Sequence, residues 1–306
     1  MSDRRAVLRP TEPPDEDEGM ARMSLLDHLE ELRSRILKAL AGVGVAFALS
    51  TYFGEPLWNA VARPAVDALR ELGYPARIIF TTPTEAFATV WVKMPMLASV
   101  FLAAPWILYQ LWAFISPGLY RRERRWGAPF VLISAGLFLT GGAFGYFVAF
   151  RNGLVFLLGI GKHIRMEPMI SASDYFALFV EVMVGLGLVF ELPVLLFLLT
   201  LVGLVTPRFL IRQSRYAIIL ILVVSAAVTQ TPDFFNMLLF AVPMLGLYYL
   251  GALASFILVW QRERRGIPIG ARVGWVALGA AGTGAVFALA RYGRVHVTKR
   301  WPFLAR

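Results

Sequence analysis

Six long apolar stretches, residues 36–53, 90–115, 127–150, 175–204, 216–228 and 234–260, dominate this 306-residue chain, and they leave it few ways to fold. An α-helix rises about 1.5 Å per residue and a bilayer's hydrocarbon core is about 30 Å thick, so roughly 20 mostly apolar residues make one crossing. Inside hydrocarbon every backbone N–H and C=O must be paired by the chain itself, which permits only helices and closed barrels. No ten-residue segments of alternating polarity occur, so the barrel is excluded. Composition agrees: 58% of residues are hydrophobic and 16% charged, against a soluble balance of about half and about a quarter. The expectation is an all-α polytopic membrane protein, a bent, cup-like bundle of six transmembrane helices.

The net charge of +10 does not point to nucleic acid, because the basic residues sit between apolar stretches without an interleaved aromatic stripe. Arg121, Arg122, Arg124 and Arg125 follow the second stretch, Arg208, Arg212 and Arg215 the fourth, and Arg262, Arg264 and Arg265 the sixth. The longer connection 54–89 holds only Arg63, Arg70 and Arg77, and 229–233 holds none. Basic loops stay inside, so the N-terminus and the end of the sixth span are expected to be cytoplasmic. The chain has no cysteine, which removes disulfides, thiol catalysis and thiolate metal sites.

Three segments follow from composition. Residues 1–23 carry Pro10, Pro13, Pro14 and the acids Asp15, Glu16, Asp17 and Glu18, too polar a mixture to fold. Arg4 and Arg5 form a chance pair, since prolines and acids follow rather than an export signal's apolar run. Residues 24–262 hold the six spans, and 263–306 form a basic extension. Its 273–290 stretch is just long enough for a seventh span, but crossing would place Arg291, Arg294, Lys299, Arg300 and Arg306 outside. Both readings stay open.

Span five offers only about 20 Å of helix, short of the hydrocarbon thickness. Pro95, Pro105, Pro193 and Pro243 fall in spans and are expected to kink them.

Against this apolar background the polar residues stand out. LLDHLEELRSR, residues 25–35, opens with Ser24 and Asp27 placed to cap a helix, and Leu25, Leu29, Leu32 and Ile36 form one stripe. That pattern predicts an amphipathic helix on the inner membrane surface, running into span one. Glu31 and Arg35 are four apart in the favourable order. Acid beside an anionic leaflet works against membrane attraction, so a solvated face and a socket for a cationic partner both remain. In SPGLYRRERR, 116–125, Glu123 lies among four arginines, which suits either a topology-setting loop or a recognition loop. Glu191, beside Pro193 inside span four, costs about 2.5–3.5 kcal/mol to insert if charged and must face protein or a wet recess; Lys93 is a conceivable partner. Thr229, Gln230 and Thr231, then Pro232 and Asp233, read as a tight turn with Asp233 as N-cap.

HLEELRSR (28–35), Arg63-Pro64, APWILYQLWAFISPGLYRRERR (104–125), FELPV (190–194) and TPDFFNMLLFAVPM (231–244) together resemble the TatC family, the membrane core of the twin-arginine protein translocase. The resemblance spans about residues 23–262 with all six stretches in order. It implies Sec-independent export of folded proteins, driven by the proton-motive force, by a multi-copy complex in the bacterial cytoplasmic membrane. It also implies that the N-terminal segment and first cytoplasmic loop bind twin-arginine signal peptides. Carried over by position, Glu31 and Glu123 would face the two arginines, and Arg33, Arg35, Phe114 and Pro117 would shape the same surface. Glu191 would line a polar groove within the membrane. Thr229, Gln230 and Thr231 would dock single-span partners of TatA or TatB type, although TQTPD departs from the more usual TPPD form. Neither cofactor nor metal is implied. A proton-coupled secondary transporter with Glu191 as relay is the rival reading, and a passive membrane anchor a third. No phosphate loop, HExxH or GxSxG pattern suggests catalysis.

Overall fold

The computed structural model describes residues 25–118, 127–163, 168–229 and 234–263. The tail 1–23, Glu123 with its arginine loop, Asp233, and the 273–290 stretch lie outside them.

In chain order the elements are α1 (Leu25–Thr51), α2 (Gly54–Glu71), β1 (Ile78–Ile79), α3 (Pro83–Ala88), α4 (Met94–Ile115), α5 (Gly127–Phe144), α6 (Arg151–His163), β2 (Ile170–Ser171), α7 (Ala172–Phe190), α8 (Leu192–Leu201), α9 (Pro207–Arg212), α10 (Ser214–Thr229) and α11 (Phe234–Glu263). Single π-helical turns, Thr89–Lys93 and Gly145–Phe150, join α3 to α4 and α5 to α6. Among the described residues, four rods are long and apolar enough to cross a membrane: Pro83–Ile115, Gly127–Gly159, Ala172–Leu201 and Phe240–Trp260. A fifth is the pair α1 and α2, bent by 87° between Thr51 and Gly54. Helix α1, 27 residues and about 40 Å, supplies the crossing. Helix α10 stays short at 16 residues, or about 24 Å. The chain is a helical, multi-pass membrane protein, and large apolar side chains such as Leu40, Leu132, Leu188 and Leu220 point away from it.

The prolines divide into two kinds. Pro95 and Pro193 sit in the first turns of α4 and α8, just after the π-turn Thr89–Lys93 and the break at Glu191, where the regular α ladder is already interrupted. Pro105 and Pro243 lie inside α4 and α11, which continue through them as single helices.

Helices gain no hydrophobic free energy by leaving lipid for one another, so small residues and polar bonds must bring them together. Ser134, Phe138 and Gly141 on α5, and Gly145 at the start of the π-turn after it, follow one helical edge, and that edge faces α7. A Cβ on Gly141 would lie 2.6 Å from the Leu186 carbonyl, and one on Gly145 3.1 Å from the Met183 sulfur. On α11, Gly251 presses on α8, where a Cβ would lie 2.8 Å from Pro193 Cα. Hydroxyls close the same contacts: Thr200 donates to Ser255 at 2.9 Å between α8 and α11, Tyr248 of α11 to the Leu210 carbonyl of α9 at 2.7 Å, and Ser225 of α10 to the Met237 carbonyl of α11 at 2.5 Å. The last bond tethers the short α10 to its full-length neighbour.

At the end of the bundle opposite Leu25, α2 lies across the other helices as a cap. Val61, Ala65, Ala68 and Leu69 recur at helical spacing and are buried, with Pro64 among them. Pro64 has no N–H, so the Ala60 carbonyl one turn back has lost its helical donor. The Tyr146 hydroxyl donates to that oxygen at 2.6 Å, and Tyr175 donates to the next carbonyl, Val61, at 2.5 Å. Two further ties connect the loops of this face. Strands β1 and β2 pair in parallel, Ile78 with Ile170 and Ile79 with Ser171. The Glu85 carboxylate accepts from the backbone N–H of Thr81 at 2.7 Å and of Ser173 at 3.0 Å.

If Tyr146 compensates for Pro64, the two residues are energetically coupled. Tyr146→Phe leaves a part-buried carbonyl without a donor and is expected to cost about 1–3 kcal/mol. Pro64→Ala restores an N–H to the same oxygen, so in that background the loss should shrink by at least about 0.5 kcal/mol. Reversible unfolding of the four proteins of this cycle in detergent measures the coupling.

Candidate functional site

Where α1 begins and α4 ends, two polar faces meet. His28, Glu31 and Arg35 share one side of α1 at i, i+3 and i+7, and Gln110 and Phe114 share one side of α4. The helices run antiparallel, so the contacts progress in step. His28 stacks on Phe114 with ring centroids 4.5 Å apart. Arg35 donates to Glu31 at 3.2 Å and to the Gln110 side-chain oxygen at 3.4 Å. Further along, Trp106 donates to the Lys38 carbonyl at 2.8 Å and covers Gly42, where a Cβ would lie 2.2 Å from the indole ring.

This arrangement turns the expected surface helix around. The stripe that includes Leu29 and Ile36 faces outward, 60% and 49% exposed, while the polar stripe packs on α4. In a bilayer the lipid takes the apolar side and the protein takes the charges, so Leu25–Thr51 forms one continuous crossing helix rather than a separate surface segment.

Glu31 is the informative residue here. Its side chain is 17% exposed and that of Arg35 26%. One carboxylate oxygen receives the Arg35 guanidinium, while the other, Oε2, is buried and has no hydrogen-bond partner among the described residues. Such an acceptor carries an unmet cost of about 1–3 kcal/mol. The spot therefore already holds one guanidinium and can accept another donor. Arg33 is exposed on a different side of α1, and Phe114 and Pro117 are half-buried at the end of α4 and in the 3₁₀ turn after it. Gly127, the first residue of α5, lies against Trp112, with a Cβ 2.3 Å from its ring nitrogen. Glu123 lies in residues 119–126, outside the described residues.

Glu191 occupies a different setting, at the turn between α7 and α8 just ahead of Pro193. Its Oε2 accepts from the hydroxyl of the fully buried Ser134 on α5, and its Oε1 is buried without a partner among the described residues. Lys93 does not reach it; that ammonium donates to Ser173 at 3.4 Å. Thr229 closes α10, while Gln230 and Thr231 lie outside the described residues.

Sequence reading missed Gln110, His28 and Ser134. Gln110 is the one amide in an otherwise apolar helix, a signal that was visible, but its link to Arg35 depends on the register between α1 and α4. For Glu191, the expected outcomes separate a buried charge from a hydrogen-bonded polar group. Ser134→Ala removes the carboxyl's one observed donor and should destabilise the protein by about 1–3 kcal/mol. Glu191→Gln keeps an acceptor for Ser134 without a charge and should remain within about 1 kcal/mol of the parent. Thermal unfolding in detergent compares them, and a larger loss for Glu191→Gln would mean that the charge itself is held.

Comparisons with known proteins converge on this architecture. The family model described as Sec-independent protein translocase protein (TatC) matches residues 27–243. A Sec-independent protein translocase protein TatC of Koribacter versatilis is 41% identical over 81% of this chain and 90% of its own length. TatC of Helicobacter pylori strain 26695 is 36% identical over 76% of this chain and 87% of its own, and TatCy of Bacillus subtilis 34% over 76% and 89%. A crystal structure of a twin arginine translocase receptor, TatC, in DDM superposes with a TM-score of 0.65 at 31% identity, covering 74% of this chain and 99% of that one.

Proposed function

Because this chain belongs to the TatC family of Sec-independent protein translocase proteins, we propose that it is the subunit that receives twin-arginine signal peptides of folded cargo. The face carrying Glu31 is cytoplasmic in this reading, in a bacterial cytoplasmic membrane, as the basic loops require. Glu31 and Glu123 each take one arginine of the signal, with Arg33, Arg35, Phe114 and Pro117 shaping the surface around them. A planar guanidinium meets a carboxylate through two parallel bonds, which a lysine ammonium cannot copy.

The observation that carries the reading is the half-used carboxylate of Glu31: one oxygen on Arg35 and the second buried and unpaired among the described residues. Single-span partners of TatA or TatB type then assemble along the membrane face. Thr229, Gln230 and Thr231 offer the docking point and Glu191 a polar contact within the bilayer, in a multi-copy complex powered by the proton-motive force.

Photo-crosslinking of a twin-arginine peptide to the purified protein in lipid nanodiscs tests the assignment. The combined Glu31→Ala and Glu123→Ala variant should lose about tenfold or more of the crosslink, and a twin-lysine peptide should label the unaltered protein no better than background. Undiminished labelling by the variant, equal for both peptides, would show that other residues receive the signal.

A further inference from the structure

On the face opposite Glu31, where α1 turns into α2, a cleft of about 460 Å³ opens between two helical walls. Glu55, Trp58 and Asn59 line it from α2 at i, i+3 and i+4, and Phe87, Val90 and Trp91 repeat that spacing across from them. Gly54 keeps the walls close, since a Cβ there would lie 2.9 Å from the Val90 carbonyl and 3.1 Å from the Trp91 ring. Trp58 is braced by Phe80, ring centroids 5.1 Å apart.

The chemistry of the lining selects a cation. Aromatic faces attract positive charge through their quadrupoles, Trp most strongly, and Glu55 adds a full negative charge. That carboxylate is exposed and makes no ion pair among the described residues. Its first-turn place on α2 suits an acid, yet the rings beside it are not needed for that role.

Location narrows the cation further. The cleft lies at the end of a crossing helix; Phe87 of its lining is 63% exposed, and Tyr52, three residues before Glu55 in the chain, is 83% exposed. Rings of this kind settle at the headgroup level of a bilayer. The positive group native to that layer is a lipid ammonium. We propose that this cleft binds the primary ammonium of a phosphatidylethanolamine headgroup, with Glu55 as counter-ion, the Asn59 side-chain oxygen as a second acceptor, and the Trp58 and Trp91 rings against the charge. The lipid would wedge into the bend between α1 and α2 and hold the cap at a fixed depth. Nothing in this assignment depends on the signal-peptide reading.

Native mass spectrometry of the full chain, supplied with equal amounts of phosphatidylethanolamine and phosphatidylglycerol of identical acyl chains, tests the site. The ratio of retained ethanolamine to glycerol lipid is expected to fall on the order of fivefold in Glu55→Gln and in Trp91→Leu. Glu55 is exposed, so its substitution leaves packing intact. Asp67→Asn, an equal charge change at another exposed position of α2, should leave the ratio unaltered. An unchanged ratio in Glu55→Gln, or an equal fall in Asp67→Asn, overturns the proposal. So does displacement of the bound lipid by a lysine peptide that binds the cleft regardless of lipid, which would assign it to a protein partner.

Discussion

The approach of the α5 backbone to α7 is the contact on which much of this molecule depends. Lipid solvates apolar side chains as well as protein does, so an apolar face alone gives two helices no reason to meet. Gly141 and Gly145 provide one by removing the side chains that would hold the backbones apart. Two turns before Gly141 on the same edge lies Ser134, and the approach that the glycines permit brings its hydroxyl to Glu191. A carboxyl within a span is tolerable only with a donor, so the packing of small residues and the fate of the buried acid are one problem with one solution. Gly42 under Trp106 and Gly251 against Pro193 repeat the principle at the α1 and α11 contacts.

The sequence made the crossings legible because hydrocarbon thickness imposes a length and a composition on each. It made α2 much less so. Residues 54–89 read only as a long connection poor in basic residues, since a helix lying across the bundle end needs only one apolar side, and Pro64 and Arg63 break up the pattern that Val61, Ala65, Ala68 and Leu69 trace. The pair Glu31 and Arg35 could be seen in advance because both residues belong to one turn of one helix. Gln110 and Ser134 could not be assigned, because their partners lie 75 and 57 residues away and are fixed by helix register alone. Thr82 and Glu85, the N-cap of α3 and a residue of its first turn, form a local start signal that sequence reading passed over: Thr82 caps the Glu85 N–H at 3.1 Å, and the carboxylate of Glu85 reaches back to Thr81.

The π-turns and the cap are also linked. The rod from Gly127 to Gly159 passes from α5 to α6 through Gly145–Phe150, and within that turn Tyr146 leaves the bundle to reach α2. An extra residue per turn re-aims the side chains that follow it. Here the re-aimed residue supplies a donor that Pro64 took away, so a local fault in α2 is compensated by a local fault in a neighbouring span. Stabilisation of this sort is specific in direction, and it holds α2 across the helix ends instead of letting it continue the line of α1.

The two carboxylates differ in what a visitor could do to them. Glu191 is paired with a neutral hydroxyl deep in a span, so any new charge brought to it must be stripped of water. Glu31 is paired with a guanidinium where helix α1 starts, and its remaining oxygen is already desolvated. In the proposed reading, a signal arginine takes the open Oε2 of this carboxylate beside Arg35. Arg35 stays beside it with the buried Gln110 as a further acceptor, so two guanidiniums then share one carboxylate, and little desolvation cost is spent anew because Oε2 is already buried. Entry of that kind contributes modest affinity with geometric selection, because the rigid planar donors of a guanidinium meet a carboxylate in a geometry that a lysine ammonium does not copy. A receptor for many different cargoes needs that combination: a weak enough grip to release each passenger, and a strict enough one to read two residues.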